Sequence, residues 1–295
     1  MTVREVNESR VPVRGGDLAV SAWSGAGDPV IALHGITANG RIFGALADAL
    51  GEDVPLLAPD LRGRAGSAGL PGPYGLGAHV EDVIALLDHR GLERAVLVGH
   101  SMGAFVAALT AARHPDRIAG AVLVDGGVGF PAPAGTDIDE LLEAVIGPAM
   151  RRLSMTFPDR DAYRTFFREH PALAAHWCDA VRAQVDRDLV GEEPALRSSC
   201  VLDAVRADGA DVLADPETLA AVRTASAKVP MALLWAERGM LDEPRGLYDE
   251  DRLAAADLGG TGVTVRRVPG VNHYTILLAP EATAAIRAAL RDVTP

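Results

Sequence analysis

The sequence predicts an α/β fold: a mostly parallel central sheet with helices on both faces, and a helical insertion between two of its strands. Three observations predict it. Short apolar runs alternate with amphipathic stretches through the first half of the chain. The same rhythm returns after residue 228. Between them, from residue 130 to about 227, no strand-like run occurs, only helix-like stretches punctuated by proline. Such alternation specifies parallel strands, because each needs a crossover connection that packs over the sheet.

Residues 17–23 and 30–33 read as strands, 39–50 as a helix and 54–58 as the next strand. Residues 76–90 are helical, since Val80, Val83, Ile84 and Leu87 recur three or four apart on one face. Residues 95–98 are wholly apolar, the mark of a strand covered on both sides. An apolar, buried helix over 101–113 and a strand over 119–124 follow. In the insertion, 139–153, 161–169, 177–190, 198–207 and 216–227 read as helices, broken at Pro131, Pro133, Pro158, Pro171, Pro194 and Pro216. A strand over 229–236, a helix over 249–258, a strand over 262–268 and a helix over 280–291 complete the pattern. The expected organisation is a core of residues 1–129 and 228–295 carrying a helical cap of residues 130–227.

With 295 residues and 48% apolar content, the chain is long enough for a large core. Its net charge of -12 disfavours nucleic acid, whose phosphates need a basic face, and an anionic membrane surface. No apolar run approaches the ~18 residues of a membrane span. The first residues carry charge and no signal-like apolar region, so a cytoplasmic protein acting on a small molecule is expected. Cys178 and Cys200 lack metal-ligand spacing. Neither a phosphate-binding G-x-x-x-x-G-K-[ST] nor a dinucleotide-binding G-x-G-x-x-G is present. No metal or cofactor is therefore expected.

The chemistry centres on Gly99-His100-Ser101-Met102-Gly103. A serine hydroxyl is a weak nucleophile near neutral pH. It needs a base, a group to orient that base, and donors for the developing oxyanion. Gly-x-Ser-x-Gly between a strand and a helix holds the serine on a tight turn where flanking side chains would clash. Here a strand precedes the motif and a helix follows it, so Ser101 is the candidate nucleophile.

Four segments in order resemble the α/β-hydrolase superfamily along nearly the whole chain. His34-Gly35-Ile36-Thr37 is similar to its oxyanion loop. Asp60-Leu61-Arg62-Gly63-Arg64-Ala65-Gly66-Ser67 is similar to its D-x-R-G-x-G-x-S segment. Gly99 to Gly103 resembles the nucleophile elbow, and Pro269-Gly270-Val271-Asn272-His273-Tyr274 the loop that delivers the catalytic histidine. The resemblance implies a capped serine hydrolase, esterase- or lactonase-like, with the N–H groups of Ile36 and Met102 as oxyanion hole and His273 as base. Asp60 and Arg62 are expected to order a loop. His100 is expected to pack and point away from the hydroxyl. Met150, Met155, Phe157, Phe166 and Phe167 are expected in the core of the cap, some of them lining an apolar tunnel.

The third member is where this chain departs from the pattern. In most relatives an acid stands a few residues past a position like Trp235, where this sequence has Gly239. Nearby acids are Glu237, Asp242 and Glu243. A second placement known in the superfamily is the end of the strand after the nucleophile helix, where Asp125 stands before Gly126-Gly127. Asp125 is preferred, Asp242 is second and Glu237 third. The expected reaction is cleavage of a small apolar ester or lactone through an acyl-enzyme. The alternatives are C–C bond hydrolysis, thioesterase or cyclase chemistry, and a non-catalytic receptor.

Overall fold

The computed structural model describes residues 4–130 and 137–294. Eight strands form one sheet: β1 (Asn7–Val13), β2 (Gly16–Trp23), β3 (Val30–Leu33), β4 (Leu56–Pro59), β5 (Ala95–His100), β6 (Ile118–Val124), β9 (Met231–Arg238) and β10 (Thr264–Asn272), in the spatial order β1-β2-β4-β3-β5-β6-β9-β10. Every neighbour from β4 onward is parallel, while β1 and β2 are joined antiparallel to each other and β2 antiparallel to β4. The connecting helices are α1 (Gly44–Leu50), α2 (Leu76–His89) and α3 (Met102–Arg113).

The alternation of side chains decides which helix covers which face. Ile31, Leu33, Leu97, Ala121 and Leu123 point to one face, against Val80, Val83, Leu86 and Leu87 of α2 and the apolar side of α3. Their neighbours Val30, Ala32, Val96, Val98, Val122 and Val124 point to the other. There they meet Leu46 and Leu50 of α1, and Ile286 and Leu290 of the closing helix. β3, β4 and β5 are buried at every position, which is why they read as unbroken apolar runs.

After β6 come α4 (Ile138–Leu153), α5 (Arg160–Arg168), α6 (Asp179–Asp188), α7 (Leu202–Ala214) and α8 (Pro216–Ser226). α4 is interrupted at Ile146, two residues before Pro148, whose ring cannot continue a regular helix. Phe157, Tyr163, Leu173, Val181 and Val185 form a small core under this block, and Phe166 and Phe167 pack against it. Met155 is a correction: it is exposed and stands outside that core. The block is also not purely helical. β7 (Leu189–Val190) pairs antiparallel with β8 (Arg197–Ser198). Two-residue strands carry no period for a sequence pattern to reveal. The expected helix over 198–207 begins at Leu202 instead, because Ser198 is committed to that ladder and the N–H groups of Ser199 and Val201 donate to Asp188 O and Gly63 O. Pro131 and Pro133, two of the expected breaks, lie outside the described residues.

The sheet resumes with β9 (Met231–Arg238), α9 (Glu250–Ala255), β10 (Thr264–Asn272) and α10 (Pro280–Val293). Edge strand β1 had no expectation attached to it. Its residues are largely exposed and include Pro12, which an edge tolerates. No helix among the described residues is long and apolar enough to cross a membrane.

Candidate active site

The site gathers at the carboxyl ends of β3, β5, β6 and β10, where an open α/β sheet presents its loops. Ser101 follows β5 and immediately precedes α3. Its φ of 54° and ψ of -122° lie in a region that a side chain with Cβ rarely adopts. The turn is enforced from several directions. The Ser101 N–H donates to Val124 O at 2.9 Å, and the Ala104 N–H to Ser101 O at 3.0 Å. A Cβ on Gly99 would strike the backbone of Gly103 and Ala104, and one on Gly126 would meet the Ser101 backbone, its Cα at 2.7 Å. The tight packing of these glycines is what lets the loop after β6 lie against the serine.

That loop begins with Asp125, fully buried and itself at φ 45°. β9 grips it twice: the Asp125 N–H donates to Leu234 O at 2.7 Å, and the Ala236 N–H donates to Asp125 Oδ1 at 2.9 Å. The remaining oxygen, Oδ2, lies 2.6 Å from Nδ1 of His273. A carboxylate there accepts the Nδ1 proton, so the other ring nitrogen, Nε2, carries a free lone pair. Tyr248 steadies the chain just beyond, its hydroxyl donating to Val128 O at 2.8 Å.

The other carboxylates are engaged elsewhere. Asp242 pairs with Arg238 and accepts from Asn272 Nδ2 at 3.0 Å. Glu237 accepts the Gly270 N–H at 2.7 Å and pairs with Arg267. Both brace the β10 loop, and neither bonds the His273 ring. Glu243 closes the turn around Gly239, taking the Leu241 N–H at 2.7 Å. This tight turn occupies the place where an acid was awaited.

His273 is 3% exposed. Its carbonyl oxygen lies 2.8 Å from His100 Nε2, and the two rings have centroids 4.7 Å apart. The residue beside Ser101 therefore anchors the backbone of His273. Burial pushes His100 well below the usual imidazole range, the neighbouring His273 adding to the effect, so it is neutral and can give Nε2–H to that carbonyl. Among the described residues, no hydrogen bond joins the Ser101 hydroxyl to His273; such contacts tighten when substrate arrives.

The loop after β3 lies on the other side of Ser101. A Cβ on Gly35 would stand 3.2 Å from Ser101 Cβ and 3.6 Å from its hydroxyl oxygen. His34, also fully buried, accepts the Leu61 N–H at Nε2 (2.8 Å) and offers Nδ1 to Gly35 O (2.8 Å). Burial pushes its pKa down to about 3, so the ring is neutral and the Nδ1–H tautomer satisfies both contacts. Gly35 O and the Ile36 N–H belong to one trans peptide and point opposite ways. Holding the oxygen therefore fixes the direction of the N–H. Among the described residues, neither the Ile36 nor the Met102 N–H has a hydrogen-bond acceptor. Two free donors beside a serine are an arrangement suited to binding an oxyanion.

Asp60 and Arg62 serve the loop that they begin. Asp60 accepts the N–H groups of Gly40 (3.0 Å) and Gly66 (2.9 Å) and pairs with Arg187. Arg62 makes a two-pronged contact with Asp82. Two buried charges gave no clear signal in the sequence. Arg64 and Arg152 come from a glycine-rich loop and from α4, and pair with Asp208 of α7 and Asp188 of α6. Arg64 stands inside a motif that was recognised, so its position was visible although its burial was not. Cys200 joins the Asp188 cluster, where burial pushes its thiol up to about 12, leaving it protonated and unreactive. Among the described residues, no cluster of His, Cys, Asp and Glu is suited to hold a metal ion.

Comparison with known proteins adds an independent line. A model of the alpha/beta hydrolase family matches residues 30–286. Lipase LipV of Mycobacterium tuberculosis is 38% identical over 131 residues, 44% of this chain and 48% of the lipase, so the chain spans about half of that relative. The 2-(acetamidomethylene)succinate hydrolase of Mesorhizobium japonicum is 26% identical over 264 residues, covering 88% of this chain and 86% of the relative. Among solved structures, an alpha/beta hydrolase from Novosphingobium aromaticivorans superposes with a TM-score of 0.74 at 25% identity, over 99% of this chain and 100% of that one. The structure of E-2-(acetamidomethylene)succinate hydrolase superposes with a TM-score of 0.76 at 23% identity, over 97% and 100% of the two chains, a likeness of fold.

Proposed function

The chain belongs to the alpha/beta hydrolase family, and on that premise we propose that it is a serine hydrolase that cleaves a carboxylic ester or lactone of a small apolar molecule. The observation that carries the reading is the 2.6 Å contact between His273 and Asp125, which orients a base beside a serine held on a strained turn.

The mechanism is acyl transfer. His273 Nε2 takes the proton of Ser101 as its oxygen attacks the substrate carbonyl carbon. The carbonyl oxygen becomes an oxyanion between the N–H groups of Ile36 and Met102, and the start of α3 adds its dipole. Collapse expels the alkoxide, which collects the proton from His273, and leaves an acyl group on Ser101. Water then gives a proton to His273 and attacks the acyl carbon; the second oxyanion collapses, the bond to Ser101 breaks, and the departing Ser101 oxygen takes that proton back from His273 as the carboxylic acid is released. Asp125 holds Nδ1 of the ring through both steps and stabilises the imidazolium. This chemistry needs neither metal nor cofactor. Apolar substrate is supported by the surroundings of Ile36, which packs in one cluster with Met150, Leu153, Leu213 and Met240.

Turnover of p-nitrophenyl acetate and butyrate, with Ser101→Ala as control, tests the reading. Wild-type hydrolysis that vanishes in the variant supports it. Absence of both turnover and fluorophosphonate labelling rejects it in favour of a binding protein. A second reading is favoured by one comparison: the relative matched over 88% of this chain is named for a succinate derivative. Under that reading the substrate bears carboxylates, and an ester ending in a carboxylate outcompetes its neutral counterpart.

A further inference from the structure

Burying a guanidinium is costly, and an apolar side chain of similar size serves stability as well or better. Arg64 is nevertheless fully buried, on the loop after β4. Its contacts suggest a reason. Nε donates to the carbonyl oxygen of Ile36 at 3.0 Å, and Nη2 lies 4.0 Å from Sδ of Met102. One side chain thus touches both residues whose N–H groups form the proposed oxyanion hole. Nη1 donates to Arg62 O at 2.8 Å and pairs with Asp208 of α7.

We propose that Arg64, held by Asp208, is a positioning residue for the oxyanion hole. His34 fixes the peptide before Ile36 through Gly35 O, and Arg64 fixes the peptide after it through Ile36 O. Ile36 is restrained on both sides, so its N–H keeps its aim while charge builds on the substrate. Asp208 keeps the guanidinium from turning away. It accepts from His79 Nε2 and from the Gly75 N–H, both at 2.9 Å, so it cannot follow a moving arginine. Burial raises the Asp208 carboxyl, but His79 and Arg64 more than offset this and hold it below the usual carboxylate range. The helical block between β6 and β9 thereby contributes to the oxyanion hole without touching substrate.

The inference rests on the serine hydrolase reading, and the experiment separates the two. The rate of fluorophosphonate labelling of Ser101 is measured for the wild type, Ser101→Ala, Arg64→Met, Arg64→Lys and Asp208→Asn. The kcat and KM for p-nitrophenyl butyrate and the Tm are measured alongside. Removing one oxyanion donor costs about 10²–10³ in rate, so a donor left in place but loosely aimed should cost about 10–100-fold. Arg64→Met is expected to lose that in labelling and in kcat, with KM within about twofold. Arg64→Lys restores part of it, since charge remains without the planar fork. Asp208→Asn loses in the same direction. Should Arg64→Met not fold, Arg64→Lys and Asp208→Asn decide. Folded Arg64 variants that label at the wild-type rate, or that change only Tm or KM, overturn the proposal alone. A wild type that neither labels nor turns over ester overturns the serine hydrolase reading and the proposal with it.

Discussion

At the scale of single residues, the carboxylates make the sharpest prediction. Replacing Asp125 with Asn removes the acceptor that selects the His273 tautomer. It should lower kcat by up to about 10⁴ while leaving Tm within a few degrees. Asp242→Asn keeps an oxygen for Asn272 and should cost less than about tenfold. Steady-state kinetics on the two variants decide, and the opposite ranking would mean that the acid lies after β9. Ser101 and His273 could be singled out as candidates because each sits in a motif, and the motifs fall in a fixed order. The candidate acid was a preference for Asp125 over Asp242, because either of two strand ends can deliver a carboxylate, and it is the fold that brings Asp125 against the His273 ring. His100 was expected merely to pack; its bond to the His273 carbonyl is a contact between residues that only the fold brings together.

Among the elements, the β6-to-serine contact leaves no room for a side chain. Gly126→Ala would drive a methyl group into the Ser101 backbone. It should destabilise by about 1–3 kcal/mol, as overpacking does, and should lower kcat more than it lowers Tm would suggest. Calorimetry with kinetics on the same sample checks this. Gly35→Ala, with its nearest contact at 3.2 Å, should be milder. The strands that read most clearly were those buried on both faces, since their sequences have no choice but to be apolar. β1, exposed at the edge, and the β7–β8 ladder, too short for a period, went unread. Helix ends shifted by a few residues for the same kind of reason: the ends answer to caps and neighbours rather than to periodicity.

The molecule as a whole should lose stability as the solution turns mildly acidic. His34 and His100 are neutral when folded, the former pushed down to about 3 and the latter also well below the ordinary imidazole value. In the unfolded chain both protonate near their ordinary value, about 6.5. Between roughly pH 6.5 and 3, therefore, the unfolded state binds more protons, and stability falls as pH falls. Each such group contributes about 1.36 kcal/mol for each pH unit across that window. In the upper part of that window, between about pH 6.5 and 5, the two histidines should contribute a urea-unfolding slope of up to about two protons, falling by about one in His34→Gln. An unchanged slope would show that His34 is not the group responsible. The paired charges of Arg64 with Asp208, and of Arg152 with Asp188, bear on another matter: how such molecules can be recombined. Each pair has one partner or both in the stretch between β6 and β9, and the Arg64 pair straddles the splice. A chimera that takes this stretch from a relative inherits a foreign residue opposite Arg64. Unless residues 64 and 208 travel together, the hybrid carries a stranded cation behind Ile36, so the natural unit of exchange is the helical stretch together with the loop after β4.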